Sequence, residues 1–129
     1  MIYTSSFHNS SSLPSELNQI SISERVPRGF MGEIYAPLMP SSQIIDDYNQ
    51  GNISWDVFRS LFYGYLLGLD ADETAKLLFG SILLSFDFHS GHSHRQIITD
   101  WLREYGYEIE ELGKRKSRLG KDNILLASL

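Results

Sequence analysis

The spacing of apolar residues predicts a chain that alternates between strands and helices. Short apolar or alternating segments, which are typical of strands, occupy residues 2–7, 19–23, 82–88 and 107–112. The continuous run Ile82-Leu83-Leu84 is the pattern of a central parallel strand, so we predict that 82–88 is the central strand and is buried on both faces.

Between these strands, apolar residues recur at helical spacing behind polar residues that favour helix starts. Serine and aspartate side chains accept hydrogen bonds from the first free N–H groups of a helix, and a glycine commonly follows its end. On these signals the predicted helices run from Ser41 or Ser42 to about residue 51, from Ser54 to about 69, from Asp70 to about 79, and from about 94 to 105.

This order of elements predicts the architecture. Strands separated by helical segments favour a mainly parallel sheet with right-handed crossovers, so we expect a single small three-layer α/β domain. Residues 82–112 are predicted to form a complete strand–helix–strand unit. Residues 24–40, which hold three of the four prolines, are predicted to be a long ordered loop or a loop with short turns, and residues 113–129 a basic and then apolar tail.

Composition narrows the expected partners. A length of 129 residues with 42% hydrophobic and 21% charged residues is typical of one globular domain. The net charge of −5 argues against broad binding to nucleic acid. No apolar run approaches the roughly 20 residues that span a bilayer, and the first residues do not resemble a signal peptide, so no membrane partner is expected. The absence of cysteine excludes disulfides and thiolate metal sites, and we predict a cytoplasmic protein.

The tail departs from this acidic balance, because five of the eleven basic residues lie within 114–121. Such a cluster can contact phosphate, but it is more often a solvated loop, which is the interpretation we favour. The apolar end at 124–129 suits docking on the body of the domain or on a partner. A second copy of the chain in a homodimer is one such partner.

Candidate chemistry is concentrated after the predicted central strand. Three of the four histidines, His89, His92 and His94, lie in one loop, and Arg95 stands where the next helix begins. Ligands of parallel sheets bind beyond the carboxyl ends of the strands, and a helix N-terminus there offers free N–H groups and a partial positive charge. We therefore predict a small anionic ligand, with these four residues and Ser93 as contacts.

Alternative interpretations remain open for the same residues. Arg95 is either a ligand contact or a structural arginine bonded to loop carbonyls or to Asp87. His94 titrates near neutral pH when unperturbed, so it can act as an acid or a base. The spacing His-x-x-His-x-His beside Asp87 is compatible with zinc, but a flexible loop makes this spacing permissive. We predict no metal and no cofactor.

Residues at the ends of the first two strands are expected to line the same crevice. Ser5, Ser6 and His8 end the first strand, and Arg25 follows the second. The carboxyl ends of parallel strands meet at one edge of the sheet, so these side chains are added to the predicted ligand-binding set. Ordinary loop polarity is the competing interpretation for each of them.

Several segments of the chain match a known pattern: Ile2-Tyr-Thr-Ser-Ser-Phe, Gln19-Ile-Ser-Ile-Ser, Tyr35-Ala-Pro-Leu-Met-Pro-Ser, Ile82-Leu-Leu-Ser-Phe-Asp, His92-Ser-His-Arg, Asp100-Trp-Leu and Gly106-Tyr-Glu-Ile-Glu-Glu-Leu. The specific element is the pair His94-Arg95 behind a buried strand. On these segments, most of the chain up to about Leu112 resembles the domain of unknown function 488. Family members usually carry cysteines where this chain has Ser85 and Ser93. The resemblance therefore implies the fold, and it implies that any thiol or metal chemistry of those cysteines is lost here.

Three functions are compatible with these features. The favoured one is the binding of a nucleotide-like or phosphorylated small molecule, for example by a sequestering factor of the kind that a phage encodes against a nucleotide signal. The second is a hydrolase or transferase that uses His94 and Arg95 with Asp87 or a serine. The third is a protein-interaction module that uses the C-terminal tail and the loop 24–40.

Overall fold

The computed structural model describes residues 1–113, which form a five-stranded sheet with helices. Every strand pair in this sheet is parallel. The strands are β1 (Ile2–Ser6), β2 (Asn18–Ser21), β3 (Glu33–Ile34), β4 (Ser81–Ser85) and β5 (Ile109–Glu111), and the α-helices are α1 (Ser42–Asn49), α2 (Trp55–Leu66), α3 (Ala71–Leu78) and α4 (His94–Glu104). The predicted α/β domain with a parallel sheet is confirmed.

The strand order is β3-β2-β4-β1-β5, so β4 is central, as predicted. All five of its residues are buried. The predicted strand–helix–strand unit of 82–112 forms as β4, α4 and β5, but its two strands are not neighbours, because β1 lies between them. The chain crosses the sheet in both directions: from β1 outward to β2 and β3, and back through α1–α3 to β4 and then β5.

The two faces of the sheet are covered by different kinds of structure. All four α-helices share one core with Leu83 of β4, and this core includes the fully buried Trp101 of α4. Ile82 and Leu84 point to the opposite face, because side chains alternate along a strand. That face is covered by the 3₁₀-helix Phe7–Ser12 and by loop residues such as Phe30. The third layer therefore consists of a short 3₁₀-helix and loops.

The predicted helix starts are confirmed by their caps. The side chains of Ser41, Ser54 and Asp70 accept hydrogen bonds from backbone N–H groups in the first turns of α1, α2 and α3. Gly80 follows α3 with a φ of 82°, a conformation that glycine adopts without steric cost. The ends were predicted too late: α2 ends at Leu66 rather than at 69.

β4 and β5 differ most from their predicted bounds. β4 was expected to reach residue 88, but its pairing with β1 stops at Ser85, and the N–H of Phe86 donates to the side chain of Ser23 instead. β5 was expected to begin at Tyr107, whose N–H instead donates to the Leu102 carbonyl at the end of α4. β1 ends at residue 6 and β2 covers 18–21, each within two residues of the prediction.

The segment 24–40 contains short elements, which is closer to the predicted loop with short turns than to a continuous loop. It contains β3, a two-residue edge strand, and the 3₁₀-helix Ala36–Leu38. Residues 114–129 lie outside the described part of the chain, and the predicted roles of the basic and apolar tail fall there. Within residues 1–113, no helix has the length and apolar character needed to cross a membrane.

Candidate functional site

The carboxyl end of β4 opens into a crevice, because the chain leaves β4 and its two neighbours toward opposite faces of the sheet. β1 continues into the 3₁₀-helix at Phe7, and the loop after β2 packs against the same face through Phe30. β4 instead continues toward α4 on the helical face. In open α/β sheets, such a reversal is the usual position of a ligand. The part of this crevice next to β1 and the part next to β2 differ in the residues that occupy them.

On the β1 side, ion pairs around Arg95 fill the crevice. The Arg95 side chain is 8% exposed and lies 2.8 Å from Asp87 Oδ1 and 3.0 Å from Glu111 Oε2. Its Nε also donates to both Glu111 oxygens at 3.1 Å. Its Nη1 donates to the hydroxyls of Ser85 and Ser93 at 2.9 and 2.8 Å. A ligand anion reaches this guanidinium only by displacing a carboxylate, so the geometry matches the structural interpretation of Arg95.

The N-terminus of α4 is also occupied by protein groups. Ser93 Oγ accepts from the N–H of Arg95 at 3.3 Å. Ser93 and Gln96 also form a capping box, in which the N–H of Ser93 donates to Gln96 Oε1 at 3.3 Å. The Ser93 hydroxyl lies 2.7 Å from that of Ser85, and both residues are fully buried. The two positions at which the family resemblance implies cysteines are therefore in contact. Neither hydroxyl is accessible as a nucleophile.

His94 is held in one orientation within the wall of the crevice. Its Nε2 lies 2.7 Å from the Ile22 carbonyl oxygen, and the residue is 4% exposed. Burial lowers the pKa of His94 from 6.5 to about 4; the hydrogen bond to Ile22 opposes this shift, and the positive charge of Arg95 adds to it. The imidazole is therefore neutral at pH 7. General bases are most effective when their pKa lies near the working pH, so an imidazole with this low pKa is a poor general base at pH 7.

The other histidines of the loop do not converge on one point. The His92 ring stacks on Trp55 with a centroid distance of 4.3 Å and an interplanar angle of 3°. Phe88 packs edge-on against Tyr48 and Phe58, which fixes the loop to α1 and α2. Within residues 1–113, no group of three histidine, aspartate or glutamate side chains is arranged to hold a metal ion.

The residues predicted at the end of β1 make hydrogen bonds within the protein around that strand end and do not face the crevice. The Ser5 hydroxyl donates to the Leu112 carbonyl oxygen and accepts from Asn9 Nδ2 at 3.2 Å. The Ser6 hydroxyl accepts from the N–H of His8 and caps the 3₁₀-helix. The His8 side chain is exposed. None of the three predicted residues lies in the pocket described next.

On the β2 side, the crevice is an open pocket of about 570 Å³. This volume falls within the range of roughly 300–1,000 Å³ that is usual for small-molecule sites. Three of the predicted residues, Arg25, His89 and His94, line it. The rest of the lining comes from the loop after β2, from the segment just before α1, from α1 and from the loop after β4: Ser23, Glu24, Met39, Pro40, Ser42, Ile45, Asp46, Asn49, Phe86, Asp87 and Phe88.

Several of these lining residues were not among the predicted contacts. Asp46 and Asn49 lie three positions apart on α1 and so share a helix face, but nothing in their spacing indicates that this face meets the crevice. Glu24 also lines the pocket, although only its neighbour Arg25 is a predicted contact. Phe86 is predicted to lie in the buried strand, yet it is 37% exposed and lines the pocket.

No family model, curated protein or solved structure matches the chain in these comparisons. The resemblance to the domain of unknown function 488 therefore stays a prediction.

Proposed function

We propose that the protein binds a small nucleotide-like ligand in the pocket on the β2 side of β4, with its ring inside and its anionic group at Arg25. The observation that carries the proposal is the pocket itself, which lies at the reversal point of the sheet and has a mixed lining. The proposed anion-binding residue is therefore Arg25 rather than Arg95, because the Arg95 guanidinium already binds Asp87 and Glu111.

The inner lining suits a flat heterocycle. Phe86 and Phe88 supply aromatic surface, and Met39, Pro40 and Ile45 supply apolar contacts. Rings of this kind stack on aromatic and apolar side chains without needing specific polar contacts.

The polar lining supplies hydrogen-bonding partners and one cation. The Asn49 amide both donates and accepts, while the carboxylates of Glu24 and Asp46 accept from sugar hydroxyls or ring N–H groups. Arg25 is exposed, and it is the cation of this lining that is placed to meet a phosphate.

The charge of the pocket favours a second candidate, a cationic ligand such as a polyamine. The lining holds the carboxylates of Glu24, Asp46 and Asp87 against the single guanidinium of Arg25. Asp87 is paired with Arg95, which leaves the other two carboxylates to attract an ammonium group. Residues 1–113 hold 15 of the 16 acidic residues but 6 of the 11 basic ones, which adds to this preference.

The enzyme alternative has less support from this arrangement. The lowered pKa of His94 makes the imidazole a poor base, and its Nε2 is bonded to a backbone carbonyl. Binding without turnover is the behaviour of a sequestering factor, whether or not a phage encodes it. Recovery of the ligand after denaturation of the complex distinguishes binding from catalysis. A binding protein returns the ligand intact, whereas an enzyme returns an altered ligand.

Titration calorimetry with adenosine monophosphate, adenosine, inorganic phosphate and spermidine tests the proposal. We expect adenosine monophosphate to bind more tightly than adenosine or phosphate. Replacement of Arg25 by glutamine should weaken that binding about tenfold, the equivalent of one charge-assisted hydrogen bond. Arg28→Gln is the matched control, because Arg28 is exposed in the same loop but is not part of the lining. Tight binding of spermidine alone would replace the proposal with the cationic candidate, and equal effects of the two variants would place the anion elsewhere.

A further inference from the structure

We infer that His94 is a fixed hydrogen-bond acceptor in the pocket wall, which selects ligands that present an N–H or O–H donor to its Nδ1. This inference rests on the proposed function and defines the ligand class more narrowly. It concerns the ring nitrogen that the fold leaves without a partner, and it gives His94 a specificity role rather than a catalytic one.

The bond to Ile22 fixes which nitrogen of His94 carries the proton. A carbonyl oxygen only accepts hydrogen bonds, so Nε2, at 2.7 Å from it, is the protonated nitrogen. The lowered pKa of the ring keeps it neutral at pH 7. A neutral imidazole with a proton on Nε2 has a bare lone pair on Nδ1, which accepts and does not donate.

Packing prevents the ring from reversing these roles. His94 is the first residue of α4 and is 4% exposed. Its ring packs edge-on against Phe62, with a centroid distance of 5.7 Å and an interplanar angle of 81°. A flipped ring would place a carbon against the Ile22 carbonyl and leave that buried oxygen without its donor, which is costly.

Nδ1 is the atom of His94 that remains available to a ligand. It makes no hydrogen bond within residues 1–113. In the same part of the chain, the one fully buried side-chain nitrogen or oxygen without a partner is Trp101 Nε1, so Nδ1 is not sealed inside the protein. His94 contributes to the pocket lining and its Nε2 is already bonded to Ile22, so Nδ1 is the ring nitrogen that it can offer to a ligand there.

An acceptor that cannot become a donor discriminates between ligands that present a donor at that position and ligands that do not. A heterocycle with an exocyclic amino group satisfies Nδ1, whereas the same ring with that group dimethylated leaves Nδ1 unpaired and adds bulk. Sites that hydrogen-bond a ligand donor reject analogues without it more strongly than apolar sites reject a missing methylene. We expect the dimethylated ligand to bind at least about tenfold more weakly.

The experiment is ¹⁵N NMR of the imidazole nitrogens, recorded on the full chain with adenosine monophosphate and with its N6,N6-dimethyl derivative. In the free protein, we expect Nε2 of His94 to be protonated and Nδ1 bare at pH 7. Adenosine monophosphate should shift the Nδ1 resonance in the manner of a hydrogen bond, and the dimethyl derivative should leave it unchanged and bind more weakly. A protonated Nδ1 in the free protein would overturn the inference.

The variants His94→Gln and His94→Phe separate specificity from structure. Glutamine keeps an amide that can donate to Ile22 and an oxygen that accepts, so it should retain part of the preference for the amino ligand, whereas phenylalanine should abolish the preference. Circular dichroism shows whether each variant folds. If one variant fails to fold, the NMR comparison on the wild type still decides the question.

The failure of this inference is distinguishable from the failure of the proposed function. Equal binding of the two probes without any change at Nδ1 would refute the acceptor role while leaving the pocket as a nucleotide site. If neither probe changes any resonance of the pocket, both the proposed function and the acceptor role are refuted.

Discussion

Replacement of Arg95 by methionine should destabilise the domain by about 2–3 kcal/mol. Removing one member of a buried ion pair costs roughly 3–5 kcal/mol when the remaining charge stays buried. Here the remaining carboxylates, Asp87 and Glu111, are 35% and 48% exposed, so water can solvate them once the guanidinium is gone. The effect is therefore reduced, but the donors to Ser85 and Ser93 are lost as well.

Urea unfolding, followed by the fluorescence of the two tryptophans, measures this loss. The matched control is Arg59→Met. Arg59 also binds an aspartate, Asp100, at 2.7 Å, but both side chains are nearly half exposed, at 45% and 46%. Exposed pairs of this kind contribute about 0.2–1 kcal/mol. Because both variants replace an aspartate-bound arginine by methionine, the difference between their losses of stability reports the effect of burial.

A loss for Arg95→Met no larger than that for Arg59→Met would refute the interpretation of Arg95 as a structural residue. It would then favour a ligand role, which predicts that the variant folds normally and loses affinity. Glu111→Gln provides a further check, because it keeps an oxygen for Arg95 Nε while removing one of the two carboxylate charges. We expect its cost to be smaller than that of the methionine variant.

Three further outcomes are expected. The pKa of His94 falls from 6.5 in the unfolded chain to about 4 in the folded protein, so its contribution to the free energy of unfolding is intact above pH 6.5 and is lost as the pH falls toward 4. Denaturant titrations should show that this group makes the protein about 2 kcal/mol less stable at pH 5 than at pH 7.5. A His94→Phe protein with the same pH dependence as the wild type would contradict this. Ser93→Ala should cost about 1–2 kcal/mol in urea unfolding, somewhat more than the exposed cap variant Ser41→Ala, yet less than Arg95→Met; a Ser93 variant as stable as the wild type would rule out a structural role for its hydroxyl. Gly64→Ala should stabilise α2 by about 0.5–1 kcal/mol, because apart from the neighbouring residues and the backbone of α2 itself nothing lies within 4 Å of the added methyl. Gly80→Ala should destabilise the protein because its φ is +82°, and thermal melts that move in the same direction for both would contradict the backbone argument.

Helix starts could be predicted because capping is local chemistry. A serine or aspartate and the N–H groups that it accepts are separated by two or three residues, so the signal lies in consecutive residues at Ser41, Ser54 and Asp70. The buried central strand was also predictable, since its apolar run reflects cover on both faces. The ends of strands depend instead on where a neighbouring strand stops, which the strand's own residues do not encode.

Long-range pairing explains what the sequence could not show. β3 has two residues, both exposed, so it has no periodicity to detect. In the site, Asp87 was foreseen as one alternative partner of Arg95, because the two residues are close in the sequence. Glu111 was not foreseen, because it reaches Arg95 only after β5 pairs with β1. The contribution of α1 to the pocket likewise depends on how helices pack.

The contrast between the two parts of the crevice determines where a ligand's charge can be recognised. Arg95 lies beside the pocket, but two carboxylates lie against its guanidinium, so that cluster carries a net negative charge and does not attract an anion. Asp87 belongs to both parts, since it binds Arg95 and also lines the pocket. An anionic ligand must therefore be recognised at Arg25, in contact with solvent, where added salt screens the interaction. For a nucleotide-like ligand, rising ionic strength should weaken the binding of the monophosphate and leave that of the uncharged nucleoside nearly constant. A salt-independent affinity for the monophosphate would mean that the phosphate is buried against Arg95 after displacing one of its carboxylates.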